Sequence, residues 1–120
     1  MLQLRQAQID SLAAAWFEQR LVRLIADTIP AARDSVNTEA GKAFLRQQSA
    51  QAQHHGLVVE LDVARFAITA WLLGPDFDSR IPAFAEILRD LQLTAAQKSK
   101  AIELIASNLL AELRASAPAP

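Results

Sequence analysis

The chain has no cysteine and no tyrosine, only three glycines and one methionine, and seven aromatic residues in 120. Without cysteine there is no disulfide, no thiolate nucleophile and no zinc–thiolate site. No glycine-rich phosphate loop, Gly-x-Ser-x-Gly elbow or His-Glu-x-x-His pair occurs. Nor does one sign of charge dominate: 12 basic and 13 acidic residues leave a net charge of −1. The three lysines, Lys42, Lys98 and Lys100, form no basic run. Phosphate neutralisation needs clustered Lys and Arg, so no nucleic-acid partner is expected. A long apolar run is also missing. The most apolar segment, Val63 to Leu73, carries Arg65 and is about half the length a membrane crossing requires. No membrane association is therefore expected. Met1-Leu2-Gln3-Leu4-Arg5 lacks a charged-then-apolar leader, which makes a cytoplasmic location the expectation.

What the chain does have is alanine (24) and leucine (17), both strong helix formers, within a composition that is 52% hydrophobic. That apolar content excludes intrinsic disorder, and the length suits one domain. Period-two alternation is scarce. The expectation is an all-α, single-domain bundle of four to five helices over residues 1–114, with a disordered tail at 115–120.

The first helix is expected from about Arg5 to Ile29. Its apolar stripe comprises Ile9, Leu12, Ala13, Trp16, Phe17, Leu21, Leu24 and Ile25. Pro30 ends it, and residues 31–37 form a polar connection with room for one helical turn. Thr38 can cap a second, peripheral helix that ends at His55-Gly56. The third, from about Leu61 to Leu73, has almost no polar face and is expected at the centre of the bundle. Gly74-Pro75 terminates it, with Gly74 in a left-handed cap. Pro82 suits the first turn of a fourth helix whose stripe is Phe84, Ile87, Leu88 and Leu91. Thr94-Ala95-Ala96-Gln97 is a capping-box pattern opening a fifth, which runs to about Arg114.

Polar chemistry concentrates at Glu60, Asp62, Asp76 and Asp78. Paired carboxylates can serve as acid and base or hold a divalent cation. Asp76-x-Asp78 matches the start of a calcium loop, but Arg80 occupies the next alternate position and Ile87 that of the distal glutamate. The residue pattern therefore implies no metal, no cofactor and no catalytic set. Capping, or pairing with Arg80, explains Asp76 and Asp78 more simply. His54 and His55 are adjacent, so on a helix they point about 100° apart and cannot easily share a metal. Capping or surface roles suit them. Phe77, between two aspartates, is either an anchor folded onto the core or an exposed contact. Asp76, Phe77, Asp78 and Arg80 are thus the candidate partner-binding residues, on a loop stiffened by Gly74 and Pro75.

Leu4-x-x-x-Gln8, Asp62-Val63-Ala64-Arg65-Phe66 and Leu73-Gly74-Pro75-Asp76-Phe77-Asp78 together carry a family resemblance. Over roughly residues 4–93 the chain resembles small uncharacterised bacterial proteins encoded beside type VI secretion spike and effector genes. Those proteins more often carry Met-Phe where this chain has Trp71-Leu72. The resemblance implies a cognate protein partner such as a secreted toxin effector, with the chain acting as immunity protein, adaptor or chaperone. It transfers no catalytic residue. Two functions stand side by side: a non-enzymatic protein–protein interaction module, and a small carboxylate-based hydrolase or metal-dependent enzyme using Glu60, Asp62, Asp76 and Asp78. Convergence of those carboxylates in one pocket would favour the second.

Overall fold

Helix-forming residues interrupted at Pro30, Gly56, Gly74 and Pro82 give a chain of helices of unequal length. The computed structural model describes residues 6–115, apart from the side chains of residues 7 and 9–12. Among the described residues there are seven α-helices, one 3₁₀ turn and no strand. They are α1 (Gln6–Thr28), the 3₁₀ turn Pro30–Ala32, α2 (Arg33–Val36), α3 (Glu39–His54), α4 (Glu60–Leu73), α5 (Phe77–Arg80), α6 (Pro82–Arg89) and α7 (Ala95–Ala115). The all-α class stands, while the helix number exceeds four to five. Two short turns, α2 and α5, account for the difference, both in segments too brief to show an apolar period. The expected stripe positions Ile9 and Leu12, the Leu4 of the resemblance, and the tail beyond Ala115 lie outside the described residues.

Backbone contacts divide the chain into two units, Met1–Gln47 and Gln48–Pro120, with the boundary inside α3. In the first unit α1 packs on the 3₁₀ turn and α2. Leu21, Ile25, Ala32, Val36 and Leu45 are buried. Trp16, expected on the same seam, is 60% exposed. It sits roughly 160° around the helix from the Leu21–Ile25 direction at 100° per residue. The spacing between Trp16 and Leu21 is five residues, which breaks the i, i+4 run that Phe17, Leu21 and Ile25 keep.

Thr38 caps α3 as the sequence indicates: its Oγ1 accepts from Gly41 N at 3.0 Å and donates to Ser35 O at 2.7 Å. Gly41 is where α3 meets α2. A Cβ there would lie 2.6 Å from Val36 O and 2.8 Å from Val36 Cα, with Ser35 O closer still. In the second unit α3 closes with a Schellman motif, Leu57 N to Ala52 O and Gly56 N to Gln53 O, each 2.9 Å. Gly56 takes φ 85° and Leu57 is buried behind it.

α4 and α7 pack side by side and run parallel, since Asp62 meets Ser99 and Arg65 meets Glu103. α5 and α6 make the return, α6 packing on α7 and α5 on α4. A row of aromatic rings threads this unit. Phe66 lies 4.8 Å from Phe77, and Phe77 5.0 Å edge-on from Phe84. The centrality expected of the third helix holds for α4 within this unit, with Phe66, Ala67 and Ala70 fully buried. Its ends depart from the expected apolar cylinder. Asp62 and Thr69 are buried polar residues, while Leu61 and Leu72 are exposed and Trp71 is half-buried. Leu91 is 93% exposed because α6 ends at Arg89, before the stripe could reach it. The capping box of α7 forms in both directions, Thr94 N to Gln97 Oε1 at 2.9 Å and Gln97 N to Thr94 Oγ1 at 3.1 Å.

Candidate functional site

The four carboxylates singled out from the sequence do not converge. Glu60 and Asp62 lie in the first turn of α4, whereas Asp76 and Asp78 follow its last. A 14-residue helix separates the two pairs, roughly 20 Å at 1.5 Å per residue. Asp62 is buried and accepts the Ser99 hydroxyl proton at 2.5 Å. Arg65 donates to Ser99 Oγ at 3.1 Å, and its Nε lies 2.8 Å from Glu103 Oε2 without hydrogen-bond alignment. Ser99 is fully buried, so this network pins α4 to α7 rather than exposing a nucleophile. Among the described residues no group of three or more His, Cys, Asp or Glu side chains is gathered to hold a metal ion.

The Gly74–Arg80 segment splits its candidate residues between core and surface. Gly74 adopts φ 107° and ψ 157°, an extended positive-φ conformation open to glycine, not the left-handed cap expected. The chain then turns sharply into α5. Phe77 is 0% exposed, its ring held between those of Phe66 and Phe84, so it is the core anchor of the two readings. Asp78, expected to cap or to pair with Arg80, is 7% exposed and turned inward. Its Oδ2 lies 2.7 Å from His55 Nε2 and accepts from Gln51 Nε2 at 3.0 Å. His55, placed by sequence at a cap or on the surface, is therefore half-buried, its ring 5.7 Å from that of Phe66. His54 is exposed. This Gln51–His55–Asp78 cluster ties the end of α3 to α5. The spacing of 23 residues between His55 and Asp78 gives no local signal of it.

Asp76 and Arg80 remain at the surface. They pair at 3.3 Å, and Arg80 Nη2 donates to Leu73 O at 2.6 Å, covering a free carbonyl at the end of α4. Arg80 also borders an open cleft of about 430 Å³. Leu72 and Leu73 supply one wall, Ile81 a second, and Leu109, Glu112 and Leu113 a third. The cleft arises because α7 continues beyond the level of Leu73. Ser99, Ile102, Ala106, Leu109 and Leu113 form one stripe at alternating three- and four-residue steps. Its first three members are buried, Leu109 is half-buried and Leu113 is 62% exposed. Of the stripe the sequence suggests for the fifth helix, Ile102, Ile105, Leu109 and Leu113, the first is buried, the next two are half-buried and Leu113 is exposed, so among the described residues the last turn of α7 is left uncovered.

Compared with known proteins, the chain matches no family model, no curated protein and no solved structure.

Proposed function

We infer that this protein is a non-enzymatic protein–protein interaction module, and that the cleft bordered by Arg80, Leu72 and Leu113 receives an amphipathic segment of its partner. The observation that carries this reading is the uncovered end of the α7 stripe, where exposed leucines surround a concavity flanked by one cation, Arg80, and one anion, Glu112. Apolar side chains in a concave, charge-rimmed site are the usual anchors of an interface. Following the family resemblance, the partner is a secreted effector of type VI type, and the chain its immunity protein, adaptor or chaperone. Arg80 stands at the rim, with Asp76 paired to it outside the cleft. Phe77 and Asp78 support it from below, through the core and through His55 and Gln51.

The enzymatic alternative draws less support, because its carboxylates stand at opposite ends of α4 and Asp62, Asp78 and Asp76 are engaged with Ser99, with His55 and Gln51, and with Arg80. Affinity capture from the bacterium that carries the gene, with wild type beside Leu72→Asp/Leu113→Asp, tests the proposal. A protein retained by the wild type in stoichiometric amount and lost by the variant is the expected result. Retention by both places the interface elsewhere.

A further inference from the structure

The first unit carries a groove of its own, unlike the cleft in chemistry. About 470 Å³ in volume, it is floored by one face of α1, with Ala15, Val22 and Ala26 at steps of seven and four residues. Arg23, from α1, Arg33, which opens α2, and Lys42, in the first turns of α3, stand around it. Among the described residues none of these three cations is engaged in an ion pair. Gln19 and Asn37 add amide groups to the lining. Glu18, the one acid among its described lining residues, is turned to Arg46, whose Nε donates to Glu18 Oε1 at 2.7 Å. That bridge compensates the negative charge of the described lining and leaves three positive charges above an apolar floor. A chain of net charge −1 thus concentrates cations from three separate elements in one place, which its dispersed sequence positions conceal.

We propose that this groove binds an acidic peptide segment of a protein, with carboxylates paired to Arg23, Arg33 and Lys42 and an aliphatic side chain laid on Ala15, Val22 and Ala26. The lining contains no aromatic ring on which a nucleobase would stack. Arg23 and Arg33 offer forked donors suited to carboxylates, and Lys42 a point charge. The site is independent of the cleft in the second unit, so either assignment can fail alone.

The test uses the full chain and a fluorescein-labelled short peptide alternating Glu and Leu, followed by anisotropy at low and physiological salt. Wild type is expected to bind it, to bind a Gln-for-Glu version at least tenfold more weakly, and to lose affinity as salt rises. Arg23→Gln/Arg33→Gln/Lys42→Gln is expected to weaken binding about tenfold, as for three exposed ion pairs. Arg23→Lys/Arg33→Lys retains most of it, and Leu72→Asp/Leu113→Asp all of it. Should the Gln variant lose helicity by circular dichroism, the salt dependence and the Gln peptide decide the matter. No binding at low salt, equal affinity for both peptides, or an unweakened Gln variant with intact helicity overturns the proposal. So does tighter binding of a single-stranded oligonucleotide through the same three residues.

Discussion

Asp76 and Asp78 are two positions apart and chemically identical, yet the fold assigns them opposite environments. Asp76 faces water and shares an exposed pair with Arg80, an arrangement worth well under about 1 kcal/mol. Asp78 is buried and holds His55 and Gln51, so its loss leaves two polar groups with an unmatched partner. Asp78→Asn is expected to lower stability by about 1–3 kcal/mol, because a neutral amide, even with its oxygen turned to His55 and Gln51, gives up the charge-assisted character of these buried contacts. For a small unit that is a fall of several degrees in melting temperature, about 4–8 °C per kcal/mol. Asp76→Asn is expected to shift it by about a degree or less. Equal shifts in thermal melts of the two variants would contradict the assigned environments. The sequence indicates acids at both sites and an arginine within reach of Asp76, since i, i+4 pairing is local. It contains no sign of His55 or Gln51 meeting Asp78, because contacts 23 and 27 residues apart depend on how α3 and α5 come together.

At the scale of elements, local codes were legible wherever the deciding residues are neighbours in the chain. Thr38, the Thr94–Gln97 box and the His55-Gly56 terminus all act as their types suggest. Thr94→Ala removes one side of the box and should cost α7 about 1 kcal/mol, read as a lowered urea midpoint at unchanged slope. Features that depend on a second element escaped the sequence. Gly41 carries no signal of its own in the sequence, yet it lets α3 approach the backbone of Ser35 and Val36. Gly41→Ala, a change that improves helix propensity, is therefore expected to destabilise the first unit by roughly 1–3 kcal/mol through overpacking. A raised melting temperature would mean that the two helices separate freely. Ile102, Leu109 and Leu113 of the α7 stripe are likewise readable from their spacing, whereas the burial of Ser99 and Ala106 shows only in the fold. Whether its last turn is covered depends on where α4 stops, and Gly74 sets that limit by turning the chain at φ 107°.

For the whole molecule, a balanced composition hides an uneven distribution of function-bearing surface. The first unit gathers Arg23, Arg33 and Lys42 around a groove, and the second leaves leucines uncovered around a cleft. Among the described residues no helix is long and apolar enough to cross a membrane. The Arg46 guanidinium is held above its ordinary pKa by the hydrogen bond and charge of Glu18. The central claim is that the molecule acts by binding a protein through the end of α4 and α7. Its most direct test is calorimetric titration of the protein that co-purifies with it, into wild type and into Leu113→Asp. Leu113 is largely exposed, so the variant should melt within about a degree of wild type, as surface substitutions usually do. The account predicts that its affinity falls at least tenfold, about 1.4 kcal/mol, as for an interface anchor. Undiminished affinity at an unchanged melting temperature would contradict it.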